Sequence, residues 1–558
     1  MAYESLSQPS IINALVSYES ALPLLDLINI PKSLPSSSGK ANVDSFTRYR
    51  EHWRWVERLL WRASILSAKT QPLSHTHRIL KVYQAHSVHW PATYRPTHRS
   101  TIAQLHLHVL LRTYTAANKV AWLNELRSIV TDYRVLLSAT TAFPRAGEHN
   151  VRVEEFVDLC VAAWDIAGAN GEQAGWVIDV RKPSVHINTT GLANMPQILW
   201  WGTRLTFNSH RIYRHLTRTL YASGDTGLAR RTLKLYVQVV SKARETGISE
   251  EQDRVWVETL VQGARMLCRM PGGIEEAQEA GELIRRAGER LDEQDQVAAA
   301  SLKRAEGIWH VCMALRGEQV RHRSSSIVVS YDGVEQEPLS RPTHLAASLL
   351  ALQESLALHP TPSTHFHLAL ALARPGPSRD LQNAVSCARE AVEGDPKEMR
   401  YWHLLGLLLA ATEDWKGAKA ILEFGAEVGD GDEADASEGQ AGSESLGDTP
   451  NGHVAKEDVT NGHDSHVCSL GSLLEGDSVQ LPAAATIQLL IPDYPHPTRH
   501  ERFEHALQLR LTQLALIEHV DGPENAGEKW VEVFSWVAAR KGLGEERARH
   551  GPFNLISC

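Results

Sequence analysis

Histidine is the residue type in this chain whose spacing first suggests chemistry. The sequence of 558 residues holds 27 histidines, and two histidines on one helix face can bind zinc. His106 and His108 are two residues apart, as are His75 and His77, so their side chains point roughly 200° apart on a helix. The segment HERFEH, which begins at His500, separates its histidines by five positions, whereas the zinc-protease motif needs four. We therefore predict neither a metal site nor a cofactor.

Motifs for nucleophilic or phosphate chemistry are missing from the sequence. Gly39-Lys40 lacks the upstream glycine and the following Ser or Thr of a phosphate-binding loop. There is no GxSxG nucleophile elbow and no GxGxxG turn after a strand. The 6 cysteines form no CxxC pair, so the spacing indicates neither a zinc site nor a disulfide framework. We expect a non-catalytic protein without a small-molecule substrate.

Arginines supply the one charged pattern that could bind a partner. Arg204, Arg211, Arg214 and Arg218 follow each other in steps of 7, 3 and 4 residues, which places them on one face of the helix predicted at Met195–Ser223. Such a face is either a solvated surface or a docking patch for an acidic protein segment or anionic lipid. If it is a docking patch, reversing the last three charges should spare the fold and remove salt-sensitive binding.

Small residues recur where pairs of antiparallel helices would have to cross. Ala384 and Ala418 are 34 residues apart, and Ala369 and Gly406 are 37 apart. Large apolar residues surround each of them, so each half of this segment resembles two helices joined by a turn. Thirty-four residues is the period of the tetratricopeptide repeat, a helical hairpin that must stack on neighbours to bury its apolar face.

Helical periodicity of apolar residues extends over most of the chain, and alternating runs are scarce. We therefore predict an all-α protein, namely a right-handed α-solenoid of tetratricopeptide-like helical hairpins with a disordered acidic insert. A short strand at Trp176–Val180 is the exception. The predicted divisions are N-terminal helical repeats (1–170), central helical repeats (190–317), tetratricopeptide repeats (343–429), a disordered acidic insert (430–481) and a C-terminal helical hairpin (482–545).

Composition narrows the class of protein. Hydrophobic residues make up 43% and charged residues 22%, as expected of a folded, water-soluble chain. The formal charge of −9 gives no reason to expect nucleic-acid binding. The first residues lack the basic start of a signal peptide, and no apolar run reaches the ~18 residues that cross a bilayer. We expect a cytoplasmic protein whose membrane contact is peripheral.

Several segments resemble a known family of helical-repeat proteins. They are LLALQESLALHP (349–360), FHLALALA (366–373), AVSCAREAV (384–392), WHLLGLLLAA (402–411), LQLRLTQLALIEHVDGPENA (507–526) and residues 198–237. Together they resemble the tetratricopeptide repeat protein 7 family, whose fungal members include a cargo-transport protein and a hypercellular protein. Family members extend further at both ends, so we expect this chain to lack some N-terminal helices and the last C-terminal repeats.

The resemblance implies a scaffold rather than an enzyme. Its members hold a type III phosphatidylinositol 4-kinase at the plasma membrane through a membrane anchor protein, with links to endocytosis and cargo transport. The alternatives are another tetratricopeptide adaptor, such as a co-chaperone, or an RNA-associated helical-repeat protein. A co-chaperone clamp for a C-terminal carboxylate needs Lys and Asn where this chain has Phe366 and Leu370, then His403 and Leu407.

Overall fold

The computed structural model describes the chain as helices arranged in two compact units. The described residues are 9–27, 46–115, 119–145, 147–166, 198–247, 251–270, 272–292, 294–323, 341–376, 378–437 and 499–540. Within these ranges every regular element is an α-helix. Unit 1 contains the described residues up to Thr219, and unit 2 contains those from Leu220 onward. The predicted all-α class and the stacked helical hairpins are confirmed.

Unit 1 is a succession of helices that pack on their sequence neighbours. Its helices are α1 (Pro9–Leu27), α2 (Arg50–Thr70), α3 (Leu73–Ser87), α4 (Pro96–Arg112), α5 (Lys119–Thr140), α6 (Val151–Ile166), α7 (Ile198–Leu205) and the greater part of α8 (His210–Ala222). Helix α4 is buried along nearly its whole length, because α3 and α5 both pack on it and α2 and α6 also reach it.

Aromatic side chains form much of the core of unit 1. Trp53, Tyr83 and Trp90 are all buried, and the rings of Tyr83 and Trp90 meet edge-on with centroids 5.5 Å apart. Trp90 also meets Trp53 edge-on at 6.2 Å. Each such pair adds about 0.5–1.5 kcal/mol to the stabilisation that burial provides.

Unit 2 continues with longer and more regular hairpins. Its helices are α9 (Thr226–Glu245), α10 (Asp253–Arg269), α11 (Ile274–Gly288), α12 (Gln296–Arg323), α13 (Arg341–Leu358), α14 (Pro362–Ala373), α15 (Leu381–Gly394), α16 (Met399–Ala411), α17 (Trp415–Ser437), α18 (Arg499–Asp521) and α19 (Pro523–Arg540). We call α10, α12, α14, α16 and α18 the first helices, because each leads a hairpin and is followed by its partner. Consecutive first helices also pack on one another.

The small residues predicted at the helix crossings lie where the helices approach most closely. Ala369, Ala384 and Ala418 are fully buried. A Cβ atom added at Gly406 would lie 2.6 Å from side-chain carbons of Leu422 on α17, so only glycine fits at that crossing. This part of the repeat prediction is confirmed.

Side-chain caps explain why several of these helices begin where they do. Asp225, Thr361 and Asp380 each accept a hydrogen bond from a backbone N–H three residues further on, at 3.0, 3.2 and 3.1 Å. Each bond satisfies a donor that the first turn of α9, α14 or α15 leaves without a partner, which is worth about 1 kcal/mol.

The helix predicted at Met195–Ser223 is, over its described part, two helices. Asn208 adopts a left-handed backbone with φ of +45° between α7 and α8. The break is held by hydrogen bonds to the start of α6: the Thr206 hydroxyl accepts the backbone N–H of Asn150 at 3.1 Å and donates to Glu154 Oε1 at 3.1 Å. Helical periodicity could not reveal this break, because the residues that cause it lie some fifty positions upstream.

Two other helices run further than the sequence predicted. Helix α12 continues to Arg323, beyond the predicted end of the central repeats at residue 317, and α17 continues to Ser437, inside the predicted acidic insert. Neither extension contains proline, the residue that interrupts a helix most strongly. The predicted strand at Trp176–Val180 and positions 438–481 of the predicted insert lie outside the described residues.

Candidate interaction surfaces

The four arginines predicted to share one face lie on two helices of unit 1. Arg204 is at the end of α7 and is exposed. Arg211, Arg214 and Arg218 lie on α8 and are partly buried. We refer to these last three as the α8 arginines.

Acidic residues of α6 lie opposite the α8 arginines. Arg218 Nη2 donates to Asp165 Oδ1 at 2.6 Å, and Arg211 Nη1 lies 3.6 Å from Asp158 Oδ2. Burial opposes ionisation of Asp158, but a 2.6 Å hydrogen bond from His215 and the charges of the arginines lower its pKa overall. Arg211 and Arg218 therefore link α8 to α6, while Arg204 is exposed.

A second group of arginines, which the sequence did not indicate, lies on the first helices of unit 2. It consists of Arg265 and Arg269 on α10, Arg304 on α12 and Arg400 on α16, and we call it the arginine cluster. Arg265 and Arg304 are only 4% and 6% exposed, and the other two are partly buried. No sequence motif marks the cluster, because its members come from three helices at irregular spacing.

The arginine cluster acts electrostatically on His367 of α14. Burial is the largest cause that lowers the pKa of His367, and the charges of Arg265, Arg269, Arg304 and Arg400 lower it further. A protonated imidazole would add a positive charge to these four, so His367 stays neutral at physiological pH.

Two capping residues hold members of the arginine cluster in place. Glu398, which caps α16, accepts two hydrogen bonds from the Arg400 guanidinium at 2.9 and 2.7 Å. Thr361, which caps α14, accepts one from Arg304 Nη1 at 2.8 Å. These bonds fix the direction of both planar guanidinium groups, and preorganised groups of this kind favour carboxylate and phosphate oxygens.

Helix α18 lies against the same surface and supplies a carboxylate. Glu501 Oε1 accepts a hydrogen bond from the Tyr221 hydroxyl at 3.2 Å, and its charge acts on both Arg269 and Arg400. Further along α18, Thr512 and His403 of α16 are hydrogen-bonded at 2.9 Å. The first helices of unit 2 therefore hold another helix through charge and hydrogen bonds as well as apolar contact.

His505 of α18 is the titratable group most strongly affected by this arrangement among the described residues of that helix. Burial lowers its pKa to about 4, the charges of Arg400 and Arg269 act in the same direction, and Glu398 and Glu501 oppose them only in part. The imidazole of His505 is therefore neutral at neutral pH where α18 packs on the first helices of unit 2.

The outer side of α19 is a different kind of surface. Trp530, Val531 and Phe534 are 38%, 66% and 65% exposed, and the rings of Trp530 and Phe534 stack with centroids 5.6 Å apart. We call these three residues the α19 apolar face. The opposite side of α19 packs on α18 and buries Ala526 and Val533. Adjacent large apolar groups in water are typical of surfaces that bind another protein.

Three side chains of unit 1 have the types and proximity of metal ligands. His77 on α3, His106 on α4 and Glu125 on α5 each place one ligand atom within 4.8 Å of the other two. The sequence did not predict this group, because the spacing test applies to histidines on one helix and these ligands come from three.

Comparison with known proteins does not assign the chain to a family. No family model matches it, and neither does any curated protein. Among solved structures, yeast Tom70 is 11% identical over 77% of this chain and 79% of its own, with a TM-score of 0.32. Ypp1 is 12% identical over 95% of this chain and 75% of its own, with a TM-score of 0.29. MamA from Desulfovibrio magneticus RS-1 is 18% identical over 39% and 94%, with a TM-score of 0.24.

In the part of the chain that the structure describes, no helix combines the length and the apolar character that crossing a bilayer requires.

Proposed function

We propose that this chain is a non-catalytic helical-repeat adaptor that binds a helical segment of a partner protein on the α19 apolar face. The observation that carries the proposal is the exposure of Trp530, Val531 and Phe534 together on one helix. Burying three large side chains of this kind contributes roughly 1.5–3 kcal/mol each, which is enough to make such a face the centre of an interface.

The stacking order of the hairpins supports a helix as the occupant. Helix α18 packs on α17, and α19 packs on α18, so each helix covers the one before it. A further helix is the element that would fit next on α19 by the same ridge-and-groove packing. Aromatic and aliphatic anchors at helical spacing are the usual contacts of such an interface.

As the specific partner we propose a type III phosphatidylinositol 4-kinase, which the chain would bridge to a membrane anchor protein at the cytoplasmic side of the plasma membrane. The support is the resemblance of residues 198–237, 349–411 and 507–526 to the tetratricopeptide repeat protein 7 family. Roles in endocytosis and cargo transport would follow from that complex. The chain would act by position alone, and the kinase would carry the chemistry.

Direct binding of the chain to the purified kinase of the same organism tests both the proposed binding face and the proposed partner. We expect a stable complex with the full chain and at least 10-fold weaker binding when Val531→Asp and Phe534→Asp are combined. Leu350→Asp is a matched control, because Leu350 is 59% exposed on α13 of unit 2 and is not part of the α19 apolar face. Unchanged binding of the double variant would contradict the proposed face. No binding of the kinase by the full chain would contradict the proposed partner.

The surface around Arg204, Arg211, Arg214 and Arg218 is proposed as a second docking site, for anionic lipid headgroups. Arg204 is its exposed member, and each basic residue near a charged membrane contributes about 1 kcal/mol. We expect Arg204→Glu to weaken salt-sensitive binding to vesicles that contain phosphatidylserine. Equal binding by the variant would mean that these arginines serve only the fold.

A co-chaperone function is the second candidate, and the structure gives it one unfavourable observation. His403, at a position where a carboxylate clamp needs a polar donor for its peptide, is already hydrogen-bonded to Thr512 of α18. Micromolar binding of a peptide with a free C-terminal carboxylate would nevertheless favour that function over the kinase scaffold. Binding of RNA at physiological salt would favour the RNA-associated alternative.

A further inference from the structure

Two histidines and one glutamate converge between three consecutive helices of unit 1. His77 Nε2 lies 2.7 Å and His106 Nε2 lies 3.0 Å from the same carboxylate oxygen, Oε1 of Glu125. The imidazole rings meet edge-on with centroids 5.6 Å apart. The three ligand atoms therefore all lie within 4.8 Å of one another.

The three side chains are enclosed well enough for a metal site. His106 is 3% exposed, Glu125 14% and His77 18%. Imidazole nitrogens and carboxylate oxygens are ligands that divalent zinc accepts.

Lys81 is a cation beside the group whose charge opposes that of a metal ion. Its ammonium lies 3.1 Å from Oε2 of Glu125, the oxygen that faces away from the histidines, and its side chain is 55% exposed. The ammonium can therefore remain on that oxygen as an outer hydrogen bond, as ligating carboxylates usually have, or turn into solvent.

We propose that His77, His106 and Glu125 form a binding site for a zinc-type divalent ion that joins α3, α4 and α5. Ligands of a tetrahedral zinc ion lie about 3.4 Å apart, so small side-chain rotations from the present 2.7 and 3.0 Å would admit the ion. Three protein ligands leave a fourth position for water. Without an ion, both imidazoles would instead donate their Nε2 hydrogens to the carboxylate.

Zinc binding would stabilise the folded chain, because each ligand comes from a different helix and the ion would join all three. An ion that binds the folded chain and not the unfolded one raises the melting temperature as its concentration increases. Zinc should therefore raise the melting temperature of the whole chain by several degrees.

Calorimetry with zinc chloride on the full chain, after treatment with a chelator, tests the proposal. We expect one strong site per chain, and a visible absorption spectrum of tetrahedral form when cobalt(II) replaces zinc. His106→Gln and Glu125→Gln should each remove the strong site and the rise in melting temperature. His75→Gln is the matched control, since His75 also lies on α3 and pairs with a glutamate, Glu19, at 2.8 Å.

Folding of the variants is checked by their helical dichroism without metal. Should either buried-site variant unfold, His77→Gln serves in its place, because His77 is 18% exposed and lies at the edge of the group. Absence of a strong site in the unmodified chain would overturn the proposal. So would a strong site that persists in the folded variants, since it would belong to other histidines.

Discussion

The α8 arginines of unit 1 and the arginine cluster of unit 2 place the same residue type on helices of the same kind, but among opposite neighbours. Arg211 and Arg218 lie against carboxylates of α6. The four charges of the arginine cluster instead act on His367, and they add to the lowering of its pKa by burial.

The comparison distinguishes two roles of arginine. One group holds helices together through ion pairs, and the other creates a positive electrostatic potential. A partly buried ion pair loses free energy when one partner is removed, because the other charge is left without compensation. Like charges gathered on one surface repel each other, so a cluster of this kind costs stability unless carboxylates offset the repulsion. In unit 2 Glu398 bonds to Arg400, and the charge of Glu501 of α18 acts on Arg269 and Arg400.

Arg218→Met should have the largest effect, because it leaves Asp165 partly buried without its guanidinium. We expect the free energy of unfolding of unit 1 to fall by about 3 kcal/mol, measured by denaturant unfolding of the full chain. For the same reason, reversing all three α8 arginines should now destabilise unit 1, which corrects the expectation that reversal would spare the fold. A triple variant as stable as the unmodified chain would show that these pairs do not hold α8 to α6.

Lowering the pH should reduce the free energy of unfolding of unit 2, because His505 takes up a proton more readily in the unfolded chain. Its pKa of about 4 in the folded chain lies below the ordinary value of 6.5, so below pH 6.5 the unfolded chain binds a proton that the folded chain does not. Stability is therefore lost as the pH falls from about 6.5 to about 4, by on the order of 2 kcal/mol at pH 5. Unfolding measured from pH 7.5 to 5 should show a smaller pH dependence for His505→Gln, and parallel curves would contradict the assignment.

Arg265→Met is the counterpart of Arg218→Met in the arginine cluster. Removing one of several like charges relieves repulsion, and methionine fills similar volume at a buried position. Arg265 has contacts of its own, so we expect the free energy of unfolding to fall, but by less than the roughly 3 kcal/mol expected for Arg218→Met, in the same denaturant assay. A loss as large as that of Arg218→Met would mean that both groups hold their helices in the same way.

An exposed arginine gives the baseline for both groups. Arg254 is 61% exposed and pairs with Glu258 one helical turn away at 3.1 Å. Arg254→Ala should change the free energy of unfolding by less than about 0.5 kcal/mol, because solvent screens such pairs. A larger change in the same assay would mean that the loss of unfolding free energy on replacing an arginine does not depend on how deeply that arginine is buried.

Local patterns in the sequence predicted the hairpins well because the forces that form them are local. The small residue at Gly406 lies at the predicted helix crossing. The break between α7 and α8 was missed, since Thr206 is held by the distant Asn150. The arginine cluster and the His77–His106–Glu125 group were missed for the same reason: their members meet only after separate helices have packed.

Helix α18 should find its place late in folding. Its Glu501 bonds to Tyr221, 280 positions away in the sequence, whereas most hairpins close over short turns, and contacts of long sequence separation form slowly. During synthesis the hairpins up to residue 437 leave the ribosome before α18 is made. Until α18 arrives, the nascent chain presents its arginine cluster without the Glu501 carboxylate, next to the most abundant polyanion of the cell, the ribosomal RNA.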